Sequence, residues 1–145
     1  MGHDWKRWFD GYARDWRAGA LTSVAARYAP RFQAIKPGKS ATYRNDESFV
    51  AWLDQVQRFH QQAGLSSVEI VTLQLTPMGP MFAMVSVLWA VRFEQRSTLR
   101  IQFEISYLVS GHATDTPQIV SVISHIDQRE AMVANGLFRQ EATAG

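Results

Sequence analysis

The spacing of apolar residues changes at Val68. Before it, aromatic and aliphatic side chains recur every three or four positions; after it, they alternate one by one. The first spacing gathers side chains on one face of a helix, the second on one face of a strand. A chain that switches once in this way is confined to helices first and a sheet afterwards. That is an α+β layout in which the sheet buries one face against the helices. With 145 residues it has enough material for one domain and one core.

Trp5, Trp8, Phe9, Tyr12 and Trp16 make the first stripe, with Asp4 placed to cap the helix and Gly19 to end it. Leu21, Val24, Ala25 and Tyr28 repeat the spacing until Pro30, which predicts a second, short helix. A short strand, RFQAI, and a loop, KPGKSATYRN, follow. The third helix is expected from about Asp46 to Ala63, with Phe49, Trp52, Leu53, Val56, Phe59, His60 and Ala63 on one face and Gly64 closing it. Strands are then expected over residues 68–76, 81–93, 98–110 and 118–126, separated by PMGP, EQRS and GHATDTP. The second of these four is apolar on both faces and reads as central; the third has one dry and one wetter face. Residues 127–138, DQREAMVANGLF, read as a closing helix with Gly136 near its end. No repeat, low-complexity stretch or linker divides the chain, so residues 1–145 are expected to form a single domain. The four long strands should pair antiparallel, with the short strand at the margin. A strongly twisted sheet wrapped over three helices leaves a cone, and its open end is a natural concave site. The tight bend at Gly19 lets two short helices close a side that one straight helix could not.

Composition narrows the function. There is no cysteine, hence no disulfide framework, thiolate metal site or cysteine nucleophile. The N-terminal stretch MGHDWKRWFD carries charge where a signal peptide needs an apolar core, and the apolar run from Met81 to Val91 is too short to span a bilayer. A soluble, cytoplasmic protein with no membrane contact is expected. The formal charge of +2 announces no nucleic-acid partner. Its distribution is uneven: nine of the 15 Lys and Arg precede residue 45, against Asp4, Asp10 and Asp15. These are either solvated helix faces or a mouth that attracts anions.

The stretch GYARDWRAGALTSVAARYAPRF, with a tyrosine seven residues ahead of the glycine in AGAL, resembles the start of the nuclear transport factor 2-like superfamily. ISYLVSGHATDTPQIVSVISHID resembles its final hairpin, and with the element order the likeness covers nearly the whole chain. That superfamily includes ketosteroid isomerases and SnoaL-type polyketide cyclases. The resemblance implies a cone-shaped fold, three N-terminal helices on a strongly curved antiparallel sheet. It also implies small hydrophobic ligands inside the cone and a homodimer through the outer sheet face. It places Tyr12 where the isomerases keep an oxyanion-donating tyrosine. It places Lys36 where they keep the proton-abstracting aspartate, and Glu104 or Ile105 where they keep a second donor, so the isomerase pattern is incomplete.

Candidate residues follow from both readings. His125, Glu104 and His60 are the candidate acid–base groups. His125 shares a strand face with Asp127, which is either its partner or the cap of a closing helix; Ser124 points the other way. His60 is either a core histidine or a ligand contact. Tyr12, Trp16, Trp52, Trp89, Ile105, Tyr107 and Ser124 are the expected pocket lining. His3, His60, His112 and His125 show no ligand spacing, so neither a metal nor any other cofactor is expected. Three functions fit: a small-molecule binding domain with a mostly hydrophobic cavity; an isomerase, hydratase or cyclase working by proton transfer; and an oligomerisation or partner-binding module with a filled cavity. Acid–base residues facing an open cavity would mark the second, and a cavity plugged by tryptophan the third.

Overall fold

The computed structural model describes residues 4–95, 98–112, 114 and 116–127. The order of elements is α1 (Trp5–Ala18), α2 (Leu21–Ala25), β1 (Tyr28–Lys36), β2 (Lys39–Arg44), α3 (Glu47–Gln62), β3 (Leu65–Met78), β4 (Phe82–Glu94), β5 (Thr98–Ser110) and β6 (Gln118–Ser124). The strands form one curved, unclosed sheet in the order β2-β1-β6-β5-β4-β3, and the helices pack on one face of it. The helix expected over residues 127–138 lies, from residue 128 on, outside the described residues.

Asp4 Oδ1 accepts from the Arg7 amide at 3.1 Å, and Gly19 ends α1 with φ 75°. Helix α1 buries Trp5, Phe9 and Ala13 against Val85, Val87, Trp89 and Tyr107 of the sheet. Its neighbouring face carries Trp8, Gly11, Tyr12 and Asp15, and Arg27 lies across it. The guanidinium sits 5.6 Å from the Trp8 ring centroid and 2.8 Å from Asp15 Oδ2. A Cβ at position 11 would stand 2.8 Å from Arg27 Nη2, so the glycine leaves room for the arginine.

Three sequence expectations are corrected. Helix α2 stops at Ala25, and Tyr28 opens β1 instead of closing a helix. Pro30 falls where neither ladder needs its missing N–H: pairing with β2 starts at Arg31, and the register with β6 shifts between Tyr28 and Gln33. KPGKSATYRN is a hairpin, not a loop, with Pro37 and Gly38 turning β1 into β2. The first strand is therefore interior, with β2 outside it, and pairs with β6 in parallel; the other pairs, including the last four strands, are antiparallel. Register shifts in β3 after Leu65 and Ile70, and between Leu108 and Val109 of β5, add local twist. Among the described residues, no helix is long and apolar enough to cross a membrane.

Candidate functional site

Inward parity on the central strands selects Val85, Val87 and Trp89 from β4 and Ile105, Tyr107 and Val109 from β5, all buried. The rings fill the cone from both sides. Phe9 of α1 packs 4.7 Å from Tyr107 and 6.3 Å from Trp89, and Tyr12 stands 6.2 Å from each. Trp89 Nε1 donates to Tyr107 Oη at 3.1 Å, and the hydroxyls of Tyr12 and Tyr28 share a hydrogen bond of 2.5 Å. Each polar atom that the aromatics carry inward thus finds a partner among them. Burial pushes the Tyr12 phenol up to about 12, and those of Tyr28 and Tyr107 well above their ordinary value. All three are neutral O–H groups at physiological pH. Ser124, cross-strand partner of Ile105, is half-buried on this face.

Trp16 and His60 form a separate pair, with Trp16 Nε1 donating to His60 Nδ1 at 3.3 Å. Burial pulls the imidazole down to about 4, and it can accept this bond only while neutral. Its folded pKa lies below the value of about 6.5 in an open chain, so its contribution is full above pH ~6.5 and lost as the pH falls toward 4. The loss is on the order of 3 kcal/mol at the acid end. Denaturant unfolding at neutral and acid pH should show this loss, and His60→Phe should remove that part of the pH dependence.

Trp52 is 56% exposed and stacks on Phe49 at the solvent edge of α3. Helix α3 packs through Phe49, Leu53 and Gln57, and Trp52 lies about 100° around from Leu53. It does not reach the interior. Gln57, not anticipated from sequence, is buried and donates to the Trp16 carbonyl at 3.4 Å. Lys36, aligned with the isomerase base, is exposed and pairs with Asp127 Oδ2 at 3.0 Å.

The other face of the sheet brings Glu104 and His125 together, with two serines. His125 Nδ1 lies 3.8 Å from Glu104 Oε1, and Nε2 is hydrogen-bonded to Ser106 Oγ at 2.8 Å. Ser106 Oγ is in turn 2.7 Å from Ser86 Oγ, its direct cross-strand partner. The imidazole and two hydroxyls form a hydrogen-bonded row that can hold one tautomer, with the carboxylate beside it at ion-pair distance. Strand β5 is hydrogen-bonded on both sides, so its N–H groups serve the ladder and are not aimed at an oxyanion. Around the row on this outward face stand Met84, Leu88, Leu108 and Ile123, half-buried, with Phe82 46% and Met78 50% exposed at one end. Parity in β5 put Ser106 with Glu104, but only the β5–β6 register brings His125 to it.

Two open clefts lie on the helical side, one lined by Trp8, Asp15, Arg27 and Gln118 among others, the second by Asp10, Arg14, Arg17 and Val68. Neither is lined by Trp89, Ile105 or Tyr107. Among the described residues no His, Asp and Glu side chains cluster as a metal site.

A cone of aromatic rings closed by three helices and a curved sheet defines a recognisable class. The chain belongs to the family described as NTF2-like protein (DUF6841), whose model matches residues 3–127. Among solved structures it is similar to an NTF2-like protein with a cystatin-like fold from Novosphingobium aromaticivorans, at 13% identity and TM-score 0.67, over 92% of this chain and 86% of that one. It is similar to the beta subunit of benzoate 1,2-dioxygenase from Burkholderia mallei at 13% identity and TM-score 0.64, covering 88% and 91% of the two chains. A candidate ketosteroid isomerase from Shewanella frigidimarina follows at 16% identity and TM-score 0.58, covering 77% and 85%. No curated protein matches. At these identities the likeness concerns the fold.

Proposed function

We propose that this chain is a homodimeric interaction module, the outer faces of β4, β5 and β6 packing against the same faces of a second copy. The observation that carries the reading is the outward ring of Phe82, Met84, Leu88, Leu108 and Ile123 around the Ser86–Ser106–His125 row. Apolar side chains on the open face of a sheet favour cover, and a two-fold axis supplies it with one self-complementary patch. The hydroxyls, imidazole and carboxylate in the row offer both donors and acceptors, so two copies can satisfy each other. A stable contact of this kind takes roughly 800 Å² from each partner, which a face of three long strands can provide. The packing of the interior supports the same reading, because Trp89 and Tyr107 are buried and bonded to each other inside the cone. The β subunit of benzoate dioxygenase, of similar fold, is by its name a component of an assembly.

The test is Leu108→Glu, which sets a charge beside Met84 at the centre of the face. We expect a folded monomer with an unchanged near-UV spectrum and a dimer dissociation constant raised at least about a hundredfold, as for a central interface residue. Gln55→Glu on the exposed side of α3 should leave the dimer as it was. A Leu108→Glu protein of the same mass in solution as the parent would contradict the reading.

A second reading, a small hydrophobic ligand admitted among the rings, rests on the Tyr12–Tyr28 pair and on the position of Tyr12. Neutral phenols suit hydrogen bonding to an oxygen of such a ligand. Proton transfer fits less well, since Glu104 and His125 face outward. Quenching of tryptophan fluorescence by flat steroid-like or polyketide-like compounds, lost in Tyr12→Phe, would favour this reading.

A further inference from the structure

Positive charge gathers on the β1–β2 hairpin, at the end of the sheet beside β6. Arg31 and Arg44 stand directly opposite each other and are both exposed, and Lys36 faces Lys39 across the turn. Like charges placed directly across a strand pair repel. Among the described residues the ion pair at this corner is Lys36 to Asp127, leaving Arg31, Lys39 and Arg44 without a carboxylate. The nearest acid in sequence, Asp46, is committed to capping α3, where Oδ1 accepts from the amides of Ser48 and Phe49. Among the described residues strand β2 is also the end of the sheet, paired with β1 alone, and its far side presents the backbone groups of an edge. Gln33, Ser40 and Thr42 share a face with the two arginines and add polar partners.

We propose that this hairpin docks an acidic, extended segment of another protein, which adds to β2 as a further strand. The backbone of the segment continues the ladder, and alternate Asp or Glu side chains neutralise Arg31 and Arg44. A second copy of this chain does not fit the edge, because its β2, KSATYR, brings two further cations and no carboxylate to neutralise Arg31 and Arg44.

The probe is a tagged synthetic peptide alternating glutamate with valine and threonine, titrated into the full-length protein by fluorescence anisotropy. Saturable binding is expected, with hydrogen-exchange protection gained over residues 39–44. Arg31→Glu with Arg44→Glu should weaken it by at least about tenfold and restore binding to the matching lysine peptide. Should the double reversal fail to fold, Arg31→Gln with Arg44→Gln carries the same loss without added repulsion. Undiminished binding by the variants overturns the proposal, as does binding without protection of β2, or binding of duplex DNA in preference to the peptide. Absence of binding at low salt overturns it as well.

Discussion

Replacing Gly64 with alanine is expected to remove roughly 2–5 kcal/mol of stability, the sum of a left-handed backbone and an unavoidable clash. Gly64 has φ 89°, and a Cβ there would lie 2.2 Å from the carbonyl oxygen of Glu94. That oxygen belongs to the end of β4, and the Glu94 amide donates to the Gly64 carbonyl at 2.8 Å, so neither chain can step aside without breaking the joint. The joint fastens the end of α3 to the sheet at the start of β3. Gly79 is the internal comparison: φ is 72° and a Cβ would meet nothing within 4 Å. Alanine at position 79 should therefore cost only the backbone part, about 1 kcal/mol. Denaturant unfolding of the two variants checks the difference, and equal losses would show that the close approach at Glu94 is not what the glycine serves.

Phe9→Ala is the second large effect, expected at about 3–5 kcal/mol for truncation of a fully buried ring. Phe9 has no exposed surface and packs on Trp5, Trp8, Tyr12, Trp89 and Tyr107. Its removal opens a space lined in part by Trp5, Tyr12, Trp89 and Tyr107, whose hydroxyl and indole groups are already paired, which limits their collapse into it. Midpoint and slope in urea measure the loss, and Phe9→Leu should recover a large share of it. A cost under about 1 kcal/mol would mean that the aromatic interior is loosely packed.

What the sequence discloses and conceals follows from burial. Helices α1 and α3 and the four later strands have a dry face, and a dry face imposes a period. Strand β2 has none: it is exposed along nearly its whole length at the sheet edge, so KSATYR alternates nothing, and the Pro37–Gly38 turn was its one local sign. Tyr28 fits a helical stripe, yet its place is set by rings distant in sequence, at 6.2 Å from Tyr12 and 5.1 Å from Phe49. The outward row was legible in part. Parity assigned Glu104 to the polar face, but the bond from His125 to Ser106 depends on strand register, which a single strand does not encode. Trp52 was misplaced because a helical stripe has soft borders, and at its margin only packing decides which ring goes inside.

Sedimentation equilibrium of the unmodified chain over micromolar concentrations tests the central claim most directly. A buried isologous face requires a species of twice 16.4 kDa that dissociates on dilution and fails to form in Leu108→Glu. A single species of 16.4 kDa throughout would leave the outer face of the sheet uncovered and contradict the account.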